Sequence, residues 1–237
     1  MITVRTTGEF KFVPTKSFVS MCMNTLWQCP TDAIAAVVLA HGAGAGMSHQ
    51  NMQAIADALE QQSIATLRFN FPFMDAGRSR TDPLAVAAAT IATAFENAQQ
   101  RTDLPLWLGG HSFGARMASH AILDHGLAPA GLIFCSFPLH PAGRLAVERA
   151  NHLHAVRQPM LFLSGTRDKL ADRELLEQVV EELPTAQLHW LETADHGYHV
   201  LKRTRRSEED VFTEMARVAR EFINRVASTT QSESIVI

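Results

Sequence analysis

The chain has 237 residues, 46% of them apolar, and a formal net charge of −3 at pH 7. That length and composition suit a buried core and argue against disorder, and the interspersed charges give no reason to expect a nucleic-acid or anionic-membrane partner. The three cysteines, Cys22, Cys29 and Cys135, are too few and too scattered for a disulfide framework or a zinc site.

At the N-terminus the apolar runs break before they reach signal-peptide length. No later stretch approaches the roughly 20 apolar residues that span a bilayer, so the expected location is the cytoplasm. Residues 18–29, with Phe18, Val19, Thr25 and Trp27 before Pro30, favour extended structure at a sheet edge. From there short apolar runs at 35–40, 65–71, 104–108, 131–137, 160–164 and 187–191 alternate with stretches of helical periodicity. That alternation is the βαβ signature, and continuously apolar strands are those of a parallel sheet covered on both faces.

The helical stripes are Met52, Ile55, Ala56 and Leu59, then Leu84, Ala87, Ala88, Ile91 and Phe95 behind an Asp82-Pro83 start read as N-cap and first helical position. Leu175, Leu176, Val179, Val180 and Leu183 follow, and Val211, Met215, Val218, Phe222 and Val226 close the series after Ser207-Glu208-Glu209-Asp210. Residues 228–234 have little to bury and are expected as a frayed tail of a single domain over 1–237, with its core at about 35–226. Only about 20 residues separate the runs at 131–137 and 160–164, too few for a bulky lid.

Gly110-His111-Ser112-Phe113-Gly114 follows the run at 104–108 and precedes the helix-forming Ala115-Arg116-Met117-Ala118. This is the strand, turn and helix context that a G-x-S-x-G nucleophile elbow requires. A serine hydroxyl needs a base within hydrogen-bond reach and a third group to hold that base. Asp168 ends the loop Gly165-Thr166-Arg167-Asp168, and His196 lies in Glu192-Thr193-Ala194-Asp195-His196-Gly197, each just past the end of a strand. Ligands of open α/β sheets gather at the carboxyl ends of the strands. Asp172, Glu174 and Asp195 are rival acids and His199 is the reserve base. The first two rivals sit at or inside the next helix, and Asp195 adjoins the histidine it would orient. His111 is assigned to packing.

The amides expected to receive an oxyanion are those of Phe113 and of Ala43, the latter in His41-Gly42-Ala43-Gly44-Ala45-Gly46. That loop lacks the Lys-Ser/Thr of a phosphate-binding P-loop. In 68–78, Phe71, Phe73 and Met74 are candidates for a substrate pocket, with plain packing as the alternative. Arg78 and Arg80 stand beside them, with a substrate carboxylate or Asp75 as possible partners.

Together these segments, with Phe137-Pro138-Leu139-His140-Pro141, resemble the small lidless α/β-hydrolases related to dienelactone hydrolase. Within these the chain is similar to a branch that includes a hydrolase-like subunit of an animal histone-acetyltransferase complex. The resemblance implies an α/β-hydrolase fold, the triad Ser112, Asp168 and His196, and the donors Ala43 and Phe113. It departs from dienelactone hydrolases proper, whose nucleophile is a cysteine. The reading is a serine hydrolase of small acyl esters or thioesters, without metal or organic cofactor. Acyl transfer, peracid formation and a non-catalytic interaction module are the alternatives.

Overall fold

The computed structural model describes residues 23–234. Its strands, β1 (Thr25–Gln28), β2 (Ala35–Ala40), β3 (Ile64–Phe69), β4 (Leu106–His111), β5 (Leu132–Cys135), β6 (Met160–Gly165) and β7 (Ala186–Leu191), form one sheet in the order β1-β3-β2-β4-β5-β6-β7. β1 runs antiparallel to β3 at the edge, pairing Trp27 with Leu67, and every other pair is parallel. The edge strand expected over 18–29 is thus β1, while 18–22 lie outside the described residues.

The helices are α1 (Gln50–Gln61), the single turn α2 (Pro72–Asp75), α3 (Leu84–Gln99), α4 (Phe113–His125), α5 (Arg173–Glu181) and α6 (Val211–Ser234). Successive strand residues point to opposite faces. In β2, Ala36, Val38 and Ala40 join a core with α3 and α4, whereas Ala35, Val37 and Leu39 join a second core with α1 and α6. Both faces are covered, which is why the strand sequences are apolar throughout rather than alternating. The chain leaves β2 for β3 on one side and returns to β4 on the other. The loops after β2 and β4 therefore diverge at the carboxyl edge and leave a crevice between them.

Several boundaries differ from the sequence expectation, each for a local reason. Asp82 does not cap α3. Its carboxylate accepts the Phe73 amide at 2.9 Å and the Arg78 guanidinium at 2.7 Å, so Pro83 occupies the cap position and the helix begins at Leu84. Leu84 is itself exposed, and Ala94 and Ala98 complete the buried stripe instead. β3 stops at Phe69 because Pro72 opens α2 and the Phe71 amide turns inward to a side chain. The helical backbone of α6 continues through 228–234, the residues expected as a tail.

Two glycines let α4 start against the sheet. A Cβ on Gly110 would stand 2.6 Å from the Gly114 carbonyl carbon, 2.7 Å from the Ala40 oxygen and 2.8 Å from the Ala115 nitrogen. A Cβ on Gly114 would run into the Ala40 and His41 carbonyls. All of these neighbours are backbone and have nowhere to move. Gly110→Ala is therefore expected to lower stability by about 1–3 kcal/mol, the usual cost of overpacking. A reduced midpoint in urea unfolding at unchanged slope would show it, and an unchanged midpoint would contradict it.

Candidate active site

Ser112 joins β4 to α4 with φ 54° and ψ −113°, a left-handed conformation that costs an L-residue about 1–3 kcal/mol. The surroundings hold it there. The Ser112 amide donates to the Cys135 carbonyl of β5 at 2.9 Å, and the Ser112 carbonyl receives the Arg116 amide of α4 at 3.2 Å. Side chain and first helical turn are thereby aimed into the crevice beyond the strands.

Ser112 Oγ lies 2.8 Å from His196 Nε2, and His196 Nδ1 lies 2.7 Å from Asp168 Oδ2. A carboxylate only accepts, so Nδ1–H donates to Asp168 and Nε2 is left to accept the Ser112 hydroxyl proton. The Asp168 side chain is fully buried, and its other oxygen accepts the Leu170 amide at 2.8 Å. The loops bearing Asp168 and His196 are stitched to each other. Arg167 N donates to the Ala194 carbonyl at 2.9 Å, Thr193 N donates to Thr166 Oγ1 at 2.9 Å, and Gly165 lies so close to the Ala194 carbonyl that a Cβ would clash. Thr193 and Tyr198, on either side of His196, both have positive φ. Such conformations persist where the surroundings over-determine them.

The rival residues are occupied elsewhere. Asp172 caps α5 through the Leu175 amide, Glu174 lies in that helix's first turn, and Asp195 accepts the Gly197 and His199 amides within its own loop. The His199 side chain is 80% exposed and reaches Asp195, not Ser112. Cys135 lies behind the elbow, where burial pushes its thiol up to about 12 and leaves it inert.

Three residues to which the sequence assigned no part, or packing alone, support this arrangement. His41 is fully buried, its Nε2 accepts the Phe71 amide at 3.0 Å, and its Nδ1–H donates to the Gly42 carbonyl at 2.7 Å. Burial lowers its pKa, in keeping with one nitrogen donating and the other accepting. In a trans peptide the N–H points opposite to the C=O. The Ala43 amide is therefore turned away from His41, on a loop whose Gly42 sits against Ser112 Cβ. Among the described residues neither the Ala43 nor the Phe113 amide has a hydrogen-bond acceptor.

His111 does more than pack: its Nε2–H donates to the His196 carbonyl at 2.9 Å, tying elbow to histidine loop directly. Asn51, at the start of α1, donates to the neighbouring Gly197 carbonyl at 3.0 Å. His41 carries one legible signal, a polar residue ending an all-apolar strand run before glycines. For His111 and Asn51 the partners lie 85 and 146 residues away, and no local pattern announces them.

Ser112 opens onto a cleft of about 300 Å³ whose walls include Ala43, Gly44, Asn51, Met52 and His196. Phe71 and Phe73 do not line it, contrary to the sequence expectation. Both are fully buried, stacked at 6.0 Å and packed edge-on against His41 and Phe113, so they form the floor under the glycine loop. Met74 is half-buried beside Gly46 and also lies outside the cleft walls. Arg78 pairs with Asp82, Asp75 accepts from Asn70, and Arg80 is exposed. A roomier apolar groove of about 690 Å³ runs along α3 past Pro72, Val86 and Thr90 and shares no residue with the cleft. No group of three or more His, Cys, Asp or Glu among the described residues is placed to hold a metal ion.

Burial holds the His111 imidazole down to about 4, against an ordinary value of 6.5. Between those values the unfolded chain binds a proton that folded His111 refuses. Its contribution is fully present above pH 6.5, is lost as pH falls toward 4, amounts to about 3 kcal/mol, and levels off below 4. In guanidinium unfolding the wild-type protein should lose more stability between pH 6.5 and 4 than His111→Gln does. Parallel losses would contradict the assignment.

Comparison with known proteins places this fold among the alpha/beta hydrolases. The fold resembles Est1E of Butyrivibrio proteoclasticus in its ferulic acid complex, with a TM-score of 0.67 at 13% identity over 87% of this chain and 96% of that one. It also resembles a serine hydrolase without lid from Xanthomonas campestris, at 0.64 and 22% over 86% and 88%, and a dienelactone hydrolase from Anabaena variabilis, at 0.64 and 19% over 85% and 90%. At such identities the likeness is one of fold: a mostly parallel sheet, helices on both faces and no large lid. Residues 33–224 match the alpha/beta hydrolase domain family, and the chain belongs to that family.

Proposed function

We propose that the protein is a serine hydrolase that cleaves small carboxylic esters or thioesters through an acyl-enzyme on Ser112. The observation that carries this reading is the continuous hydrogen-bonded line from buried Asp168 through His196 to Ser112 Oγ, at 2.7 and 2.8 Å, ending on a residue held at positive φ.

In this reading Ser112 Oγ attacks the acyl carbonyl as its proton passes to His196 Nε2. Asp168 keeps the imidazole in the required tautomer and stabilises the imidazolium that forms. The oxyanion is received by the Ala43 and Phe113 amides, the first oriented by the His41 clamp on Gly42. Each such donor is worth about 10²–10³ in rate in other acyl-transfer enzymes. His196 returns the proton to the leaving oxygen or sulfur, and water, activated by the same imidazole, releases the acid. The cycle uses no metal or organic cofactor.

The small cleft of about 300 Å³ and the inward-facing Phe71 and Phe73 favour a short acyl group over a long chain. The same acyl-enzyme could pass its acyl group to an alcohol, an amine or peroxide. Products formed with those acceptors in competition with water separate acyl transfer and peracid formation from hydrolysis.

With p-nitrophenyl acetate as substrate, Ser112→Ala is expected to lower kcat by a factor on the order of 10⁶. Asp168→Asn should lower it by about 10⁴, because the amide stabilises the wrong tautomer. Both variants should still unfold cooperatively, and Ser112→Ala should keep the wild-type unfolding free energy to within about 1 kcal/mol. Undiminished turnover in folded Ser112→Ala protein would overturn the reading.

A further inference from the structure

The turn that aims Asp168 inward sends its chain neighbours outward. Asp168 N donates to the Gly165 carbonyl at 3.0 Å, and in this tight turn the Asp168 side chain is fully buried while Arg167 and Lys169, on either side of it, are exposed. Both cations nevertheless belong to the walls of a cleft of about 410 Å³, together with Asp195, His196, Gly197 and His199. His196 is also a wall of the Ser112 cleft, so the two clefts meet at that residue.

Charge in the second cleft is unbalanced. Arg167 Nη1 donates to the Thr193 carbonyl at 3.1 Å, which holds the guanidinium against the histidine loop and leaves the rest of its five-donor fork without an acceptor among the described residues. Neither Arg167 nor Lys169 has an ion pair among the described residues. Asp195 is the one acid in these walls, and its Oδ1 is committed within its own loop to the Gly197 and His199 amides, at 2.9 and 3.0 Å, and to His199 Nδ1 at 3.3 Å. The Ser112 cleft is different in kind: it contains the glycine loop, and no Lys, Arg, Asp or Glu lines it. An acyl carbonyl attacked by Ser112 sits at the glycine loop, whereas the leaving atom sits beside His196 Nε2, which returns its proton. The cation-lined cleft therefore adjoins the part of the substrate that departs.

We propose that this cleft receives an anionic leaving group, so that the preferred substrates are esters or thioesters whose alcohol or thiol part carries a carboxylate or phosphate. The inference rests on the serine hydrolase reading. In the acylation step Ser112 Oγ bonds to the acyl carbon, the bond from that carbon to the leaving oxygen or sulfur breaks, and the proton taken from Ser112 passes from His196 Nε2 to the leaving atom. Throughout, the anion on the departing part lies against Arg167 and Lys169. The tethered guanidinium offers paired N–H donors to an oxyanion, and Lys169 adds a movable point charge. Both determine specificity and take no part in making or breaking bonds. Because both are exposed, their pull is modest and is screened by salt.

The test compares two acetates of similar intrinsic reactivity, phenyl acetate and its carboxylated counterpart 3-acetoxybenzoate, which differ in the charge on the phenol that leaves. At low ionic strength kcat/KM is expected to favour 3-acetoxybenzoate by at least about fivefold. That ratio should fall partway in Arg167→Gln and in Lys169→Gln, and toward one in the double variant and in wild type at about 0.5 M sodium chloride. A substitution that merely loosens the loop slows both esters alike and leaves the ratio where it was, and Lys169→Gln keeps the test available should Arg167→Gln disturb folding. A ratio near one in the wild type, or a ratio undiminished in a folded glutamine variant, would overturn this inference and leave the hydrolase reading standing. Turnover of neither ester by folded wild-type protein would overturn both.

Discussion

The architecture depends on one close approach, that of the first turn of α4 to the carbonyl end of β2. Gly110 and Gly114 are the residues that allow it, because any side chain at either position would meet the backbone of Ala40, His41, Gly114 or Ala115. The approach puts Ser112 on the crevice where the parallel strands diverge and brings the glycine loop after β2 to Ser112 Cβ. The strain at Ser112 is stored because both ends of its peptide are tied, to Cys135 behind and Arg116 ahead. A loop that began one residue later, or a helix that stood off by one methyl group, would separate the hydroxyl from the amides beside it.

The second layer is a set of neutral histidines used as hydrogen-bonding struts. His41 turns the Gly42 peptide, His111 grips the His196 carbonyl, and His140, buried beside the β6 loop, accepts the Asp172 amide while holding the Pro141 carbonyl. In each a ring nitrogen meets a main-chain group, an arrangement suited to the uncharged imidazole, and burial lowers the pKa of His41 and His111 accordingly. Imidazoles of this kind tie loops together through hydrogen bonds from rigid rings. The proposed proton transfer from Ser112 to His196 needs such fixity, since a 1 Å misplacement can cost about a hundredfold in rate.

The parts of this architecture that can be read from the sequence are those set by adjacency in the chain. Continuous apolar runs, the G-x-S-x-G turn and the acid and histidine just past β6 and β7 depend on neighbours in sequence, and the structure brings Ser112, Asp168 and His196 within hydrogen-bond distance. What was hidden depends on partners far along the chain. Asp82 has the composition of a helix cap, yet the Phe73 amide and Arg78 compete for it and prevail. Phe71 and Phe73 follow a strand that ends at the crevice, where an aromatic can face in or out. Contact with His41 and Phe113 turns them in.

Without a lid, the crevice gains little reactivity from closure and must rely on preorganised donors. The central claim is that Ser112 is an activated nucleophile because His196 and Asp168 make it one. Fluorophosphonate labelling followed by peptide mass analysis measures that most directly. The account predicts a phosphonyl adduct on Ser112 of the native protein, and its loss in folded His196→Ala protein. A native protein whose Ser112 stays unmodified, or one labelled equally well without His196, would contradict it.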